Sequence, residues 1–285
     1  MIICNSLAEL DSALESRRRA SESIGFVPTM GNLHQGHLSL VNLAREHCGF
    51  VVVSVFVNPM QFGPDEDYER YPRTFEADAQ ALEKQGADIL FVPREEEVYP
   101  NGFQDQTRVC APAFLTEVLE GQSRPGHFDG VTTIVMKLFQ LVRPDVAVFG
   151  QKDFQQLKII QRMVTDLNMP IEILPAQIAR EHDGLALSSR NQYLNTAQRA
   201  VAPVLQRVLK SVEVALRAGE RAFDPLCLEA EKRLLSAGFE EVDYLKICDP
   251  ETLRPSQEAD RRFVILAVAR LGTTRLLDNI CLEVS

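Results

Sequence analysis

GFVPTMGNLHQGHLSLVNLA, residues 25–44, passes from an apolar run ending at Pro28, through a stretch holding Gly31 and Gly36, into residues with helical apolar spacing. That order reads as a strand, a loop and a helix amino terminus, with the helix beginning near His37. Such a terminus carries N–H groups without intrahelical partners and the positive end of the helix dipole, so it favours an anion. His34 and His37, three residues apart, can then face one phosphate and donate to charge that builds on it during transfer. Taken alone, the pair reads equally as surface histidines in a turn, because HxGH is a short motif.

Farther along the chain, short β-rich runs alternate with helix-period segments as far as about residue 175, the signature of βαβ units around a doubly wound parallel sheet. Strands are expected at residues 24–27, 51–57, 89–92, 146–149 and 171–174, and helices at 38–47, 75–84, 130–141 and 154–167. PREEEVYPNGFQDQ, residues 93–106, reads as a surface loop. Beyond residue 178 the pattern changes. One long helix is expected from Thr196, with Val201, Val204, Leu205, Val208, Leu209, Val212, Ala215 and Leu216 forming an apolar stripe. A second helix near 225–236 and strand-like runs at 242–247, 263–269 and 274–280 suggest a smaller α+β domain. The expected division is therefore 1–178 and 179–285.

Composition narrows the classes. At 285 residues and 45% hydrophobic the chain can bury a substantial core, and its longest apolar runs, such as FVVVSVFV at 50–57, are too short to span a bilayer. The amino terminus shows no cationic region followed by an apolar stretch, so a soluble cytoplasmic protein is expected, with no membrane partner. A formal charge of -10 argues against nonspecific nucleic-acid binding, which rests on lysines and arginines neutralising phosphates. Arg17, Arg18 and Arg19 read as a solvated helix end. Cys4, Cys48, Cys110, Cys227, Cys248 and Cys281 are scattered without a CxxC pair, which disfavours a zinc site or a disulfide framework.

Four further stretches could carry chemistry. VAVFGQKDFQQLKII, residues 146–160, repeats the order strand, glycine turn, helix, and sets Lys152 where ligands bind in open α/β sheets. Its charge suits a polyphosphate; Asp153 reads as a helix cap or as a contact to ribose or magnesium. Gln155 and Gln156 read either as groups orienting a small polar substrate or as ordinary helix residues. DGLALSSRNQYL, residues 183–194, reads as a phosphate clamp built from serine hydroxyls and Arg190, or simply as a turn. FVNPMQF, residues 56–62, offers Asn58 and Gln61 beside apolar walls, fitting a small hydroxylated ligand. RPGHFDGVTTIV, residues 124–135, places Arg124 and His127 before an apolar helix.

PTMGNLHQGH, FVNPMQF, RPGHFDGV, FGQKDFQQL and LALSSRN, in that order over residues 28–191, closely resemble the motifs of the pantothenate synthetase family, the pantoate and beta-alanine ligases. The carboxyl-terminal third offers no comparably specific motif. The resemblance implies a Rossmann-like α/β fold of the HxGH nucleotidyltransferase type, related to the aminoacyl-tRNA synthetases with HIGH and KMSKS, LSSR being the counterpart of the latter. It implies that Met30, Gly31, Asn32, Leu33, His34, Gln35, Gly36 and His37 line ATP, together with Gly150, Gln151, Lys152 and Asp153. Leu187, Ser188, Ser189 and Arg190 would complete that set, with Ala179 meeting adenine through its backbone. His37, His34, Lys152 and Arg190 would be catalytic. Gln61 and Gln156 would hold pantoate, with Asn58, Met30, Val131, Ile134 and Val135 shaping the pocket.

The implied reaction joins pantoate to beta-alanine through a pantoyl adenylate, with Mg2+ on the ATP phosphates, in a homodimer. Two alternatives compete. An adenylyltransferase acting on a phosphorylated acceptor would want extra lysine or arginine in the acceptor pocket, whereas Asn58, Gln61 and Gln156 are neutral. A noncatalytic nucleotide sensor could dispense with His37 or Lys152, and both are present.

Overall fold

The computed structural model describes residues 1–64 and 66–284. In chain order the elements are β1 (Ile2–Cys4), α1 (Leu7–Arg19), β2 (Ile24–Thr29), α2 (Gln35–His47), β3 (Phe50–Val55), α3 (Phe75–Gln85), β4 (Ile89–Phe91) and the short turns α4 (Glu95–Val98), α5 (Ala113–Thr116) and α6 (Glu120–Ser123). There follow α7 (His127–Val142), β5 (Val146–Gly150), α8 (Phe154–Asp166), β6 (Glu172–Ala176), α9 (Thr196–Val201), α10 (Val204–Arg217), α11 (Phe223–Ala237), β7 (Glu241–Cys248), β8 (Arg262–Leu271) and β9 (Thr274–Glu283). Two compact units result: Met1–Gln151 with Gln155–Gln177, and Lys152–Phe154 with the residues from Ile178 onward.

In the larger unit six strands lie in the order β1-β4-β3-β2-β5-β6, every neighbouring pair parallel. Adjacent residues serve opposite faces, as the pleat requires. Phe26 and Val52 pack with α1, α7 and α8 on one side, while Val27, Val51 and Val53 pack with α2 and α3 on the other. This is a doubly wound, Rossmann-like sheet. From β2 the chain builds outward through β3 and β4, then returns to lay β5 against the opposite edge of β2. The order reverses between β2 and β5, and a crevice opens beyond the carboxyl ends of strands at such a switch.

The smaller unit is α+β. Its sheet is antiparallel, in the order β7-β8-β9, and Phe263, Ile265, Ala267 and Leu276 meet Leu205, Val208, Leu209 and Leu234 of the helices in one core.

Several expected elements shift. Helix α2 begins at Gln35 because His34 takes the capping position. The long helix expected from Thr196 divides at Ala202 and Pro203, where proline lacks the N–H that would continue the ladder. Residues 93–106 include α4 rather than loop alone. Arg18 is not simply solvated: its guanidinium donates to the carbonyls of Leu141 and Val142 at 3.2 Å, closing the carboxyl end of α7. Among the described residues no helix is long and apolar enough to cross a membrane.

Candidate active site

The loop after β2 is shaped by a residue far away in sequence. Asp78 of α3, buried at 3% exposure, accepts from the N–H of Asn32 at 2.9 Å and of Leu33 at 2.8 Å. Thr74 donates its hydroxyl to the same carboxylate at 3.1 Å. Gly31 turns the chain at φ +83, where a Cβ would stand 3.0 Å from Val55 and 3.1 Å from the Asp78 carboxylate. Only glycine meets both conditions without strain.

The two histidines are fixed by the helix start itself. The Nδ1 of His34 accepts from the N–H of Gly36 at 3.1 Å, and the Nδ1 of His37 accepts from the N–H of His34 at 3.3 Å, a reciprocal cap in which imidazoles replace the usual hydroxyl and carboxylate. The rings stack with centroids 4.1 Å apart. Because both Nδ1 atoms accept, the neutral form of each ring carries its proton on Nε2. Two backbone N–H groups that the sequence offered to an anion are therefore engaged by imidazole, and the ring Nε2–H groups become the donors of this loop.

After β3, Asn58 caps the 3-10 turn Pro59–Gln61. Asn58 is 1% exposed. Its amide donates to the Gln61 side-chain oxygen at 3.1 Å and to the Gly130 carbonyl at 3.2 Å. Its oxygen accepts from the N–H of Met60 at 3.3 Å and from the Tyr99 hydroxyl at 2.5 Å. Burial pushes the Tyr99 phenol up, so it stays a donor. With both amide hydrogens and both acceptor positions engaged, Asn58 acts by orienting Gln61. Gln61 in turn donates to the Met30 sulfur at 3.0 Å, joining the turn after β3 to the loop after β2.

The backbone of that turn is held from below. The Gln61 carbonyl accepts from His127 Nδ1 at 2.8 Å and from Arg124 at 3.3 Å. Arg124 donates to the other imidazole nitrogen at 3.0 Å and to the Glu66 carboxylate at 2.6 and 2.5 Å. Burial, and then the charge of Arg124, lowers the His127 imidazole to about 4, so it is neutral with its proton on Nδ1. Burial would raise the Glu66 carboxyl, but the Arg124 contact outweighs it and the group sits below its ordinary range. Gly130 completes the arrangement, since a Cβ there would stand 2.4 Å from the Met60 carbonyl oxygen. Val131, Ile134 and Val135 on the same helix are buried in the core.

At the end of β5, Gly150 and Gln151 belong to the larger unit, as does Gln156. The two glutamines of α8 part company. Gln155 is buried and commits its amide to the backbone of 115–120, donating to the carbonyls of Leu115 and Val118 at 2.8 Å and accepting from the N–H of Glu120 at 3.1 Å. Gln156 is only half-buried.

The remaining motif residues lie in the smaller unit. Lys152 and Asp153 sit in the 3-10 turn Gln151–Asp153, with the Lys152 ammonium 4.0 Å from the Asp153 carboxylate. Ala179 accepts from the N–H of Leu187 at 2.9 Å, so residues 179–187 fold back on themselves. Ser188 caps the turn Ser189–Tyr193 by accepting from the N–H of Arg190 at 3.3 Å. Asn191 ties the loop to the Ala186 carbonyl at 3.0 Å. The motif readings contain neither Asp78 nor Tyr99, because each reaches its partner from a segment distant in sequence.

The geometry has close relatives. A family model described as pantoate-beta-alanine ligase matches residues 2–281. The pantothenate synthetase of Hydrogenovibrio crunogenus is 54% identical over 280 residues, covering 98% of this chain and 99% of that protein. That of Azotobacter vinelandii is 50% identical over 285 residues, covering 100% of each. Among solved structures, the pantothenate synthetase of Thermus thermophilus superposes with TM-score 0.89 at 46% identity, covering 98% of this chain and 99% of that one. The pantoate-beta-alanine ligase of Francisella tularensis, complexed with beta-gamma ATP and beta-alanine, superposes with TM-score 0.82 at 33% identity, covering 98% and 97%. Identity of this extent over both units, with the motif residues set in the loops after β2, β3 and β5, establishes that the chain is an enzyme of the pantoate-beta-alanine ligase family.

Proposed function

We propose that the chain ligates pantoate to beta-alanine in two steps through a pantoyl adenylate, releasing pyrophosphate and then AMP. The observation that carries this reading is the paired imidazole cap: two stacked rings whose Nδ1 atoms accept from backbone N–H groups, which leaves donation to the Nε2 side of each ring. In the first step a pantoate carboxylate oxygen bonds to the α-phosphorus of ATP while the bond from that phosphorus to the bridging oxygen breaks, the electron pair leaving with pyrophosphate. Charge shifts onto phosphate oxygens, and preorganised donors are most effective against charge that develops late. His34 and His37 take that role, with Lys152, Ser188, Ser189 and Arg190 as further cations and hydroxyls.

In the second step the free amine of beta-alanine adds to the acyl carbon, the carbon–oxygen bond to AMP breaks, and the ammonium proton is lost. No protein nucleophile takes part. Gln61, oriented by Asn58, and Gln156 are assigned to the hydroxyls and carboxylate of pantoate. The beta-alanine and nucleotide complex of the Francisella tularensis relative supports the same substrates here. Magnesium enters as part of the nucleotide. The residues assigned to ATP are imidazoles, hydroxyls and cations with Asp153 as their one carboxylate, a set suited to a phosphate chain that brings its own ion rather than to a resident metal centre. Homodimer formation and a cytoplasmic location belong to the same proposal and rest on family membership.

The test is exchange of labelled pyrophosphate into ATP with pantoate present and beta-alanine absent. Exchange is expected, because an enzyme-bound acyl adenylate can run backwards before the amine arrives. Exchange that requires beta-alanine, or release of ADP in the full reaction, would overturn the two-step reading.

A further inference from the structure

Lys152 stands in a sequence stretch whose flanks both belong to the larger unit, yet it packs with the smaller one. One buried side chain holds its backbone there. The Asn279 amide, in the middle of β9, donates to the Lys152 carbonyl at 2.8 Å. Asn279 is 2% exposed and pairs across the sheet with Leu266. Asparagine is a poor strand residue, and a buried amide is unfavourable unless its hydrogen bonds are made. Its presence in a strand interior therefore points to its amide as the reason.

The neighbouring residue makes the companion contact. Asp278 lies on the opposite face of β9 by strand alternation, 2% exposed in its side chain, and grips Arg180 through two oxygens at 2.7 and 2.9 Å. Arg180 also donates to the Gly184 carbonyl at 3.0 Å and pairs with Ala186 in an antiparallel bridge, immediately before Leu187 and the Ser188–Arg190 turn. The N–H of Asn279 donates to the Asp278 carboxylate at 2.8 Å, which locks the two residues together. Consecutive positions on one strand thus reference two separate loops, the turn bearing Lys152 and the turn bearing Ser188 and Arg190.

We propose that Asn279 is a positioning residue for Lys152: it sets the place of the Lys152 backbone relative to the Ser188–Arg190 loop, and so the reach of the ammonium toward the leaving pyrophosphate. The proposal rests on the assignment of Lys152 to the phosphate chain. A donor that reaches the Lys152 carbonyl is required at 279; the nearly isosteric Asn279→Asp would set lone pair against lone pair.

The experiment is a double-mutant cycle on the full chain, read by exchange of radiolabelled pyrophosphate at saturating ATP and pantoate, with thermal melting of every variant. Lys152→Ala alone is expected to lower exchange at least about 100-fold. Asn279→Ala alone is expected to lower it about 10- to 100-fold, the effect of displacing a reacting group by roughly 1 Å. In the Lys152→Ala background, Asn279→Ala is expected to add less than about threefold, since there is no ammonium left to misplace. Asn279→Asp preserves side-chain volume, and the same cycle built with it covers the case in which Asn279→Ala fails to fold. An equal fold-loss in both backgrounds, or no loss in either, would overturn the positioning role. If Lys152→Ala itself leaves exchange intact, the assignment of Lys152 fails instead, and that result is read from a different variant.

Discussion

The loop of residues 30–37 and the loop of residues 187–191 are both assigned to the phosphates of ATP, yet they are tied down in different ways. The first is pinned by Asp78, a buried carboxylate 46 and 45 positions from the N–H groups it accepts from. The second shows local bonds, the Ser188 hydroxyl on Arg190 and the Asn191 amide on Ala186, two and five residues apart, and its buried carboxylate, Asp278, grips Arg180 ahead of the loop rather than an N–H within it. A buried carboxylate that accepts from a loop's own N–H groups fixes its backbone directly, whereas one that grips the segment before a loop fixes where the loop starts. The directly fixed loop is suited to preorganised donors.

The most demanding test of that contrast is His37→Ala. If the first loop is preorganised, turnover should fall about 10²–10³-fold with little change in the ATP requirement. A raised ATP requirement at unchanged turnover would place His37 in ground-state binding. Next in size is Asp78→Ala, which takes the buried partner from two partly buried N–H groups and should lower stability by about 2–4 kcal/mol, measured by urea unfolding. A loss below about 1 kcal/mol would remove the distinction between the loops.

Acid should discriminate between the loops as well. The His127 imidazole, held near 4 by burial and by Arg124 rather than at 6.5, secures the turn beside the first loop. Between those values the unfolded chain takes up a proton that the folded chain refuses. The His127 contribution is therefore complete above 6.5 and declines as pH falls toward 4, by on the order of 2–3 kcal/mol. Glu66, lowered from 4.5 by Arg124 against the effect of its burial, adds to the loss only below that value. Unfolding free energies of His127→Asn should be flatter over the same window, and an unchanged slope would count against the buried neutral imidazole. Smaller again, Gln61→Ala should raise the pantoate KM about tenfold with ATP binding intact, as judged by calorimetry. Smallest is Ser188→Ala, where loss of one local cap should lower stability by about 0.5–1 kcal/mol and leave the His34 and His37 loop unaffected.

Much of the fold was legible because periodicity reports burial directly. The runs at 24–27, 146–149 and 263–269 lie within β2, β5 and β8, and the alternation of units announced a parallel sheet. The edge strand Ile2–Cys4 escaped because three residues are too few to show a period. Helix α3 reads FEADAQALEKQ, so Asp78 looks like any carboxylate of an amphipathic helix, and nothing local reveals that it faces inward. The motif residues stood out because glycine, histidine, lysine and serine cluster at strand ends. Asn58 shows where such reading stops, since sequence marked it as polar and near a ligand but could not show that the protein takes up its whole hydrogen-bonding capacity. Asn279 is the converse case, a polar residue inside a strand pattern whose partner is 127 positions away.

That separation has a consequence for the order of synthesis. A chain emerging from the ribosome has all of the larger unit's strands once residue 176 has been added, yet the Lys152 carbonyl still lacks its strand partner. The turn that carries the lysine waits through about a hundred further residues for Asn279 of β9. Because Lys152–Phe154 belongs to one unit and both its flanks to the other, no single cut in the polypeptide separates the two units cleanly. A fragment ending near residue 177 carries the lysine without Asn279, and one beginning there carries Asn279 without the lysine.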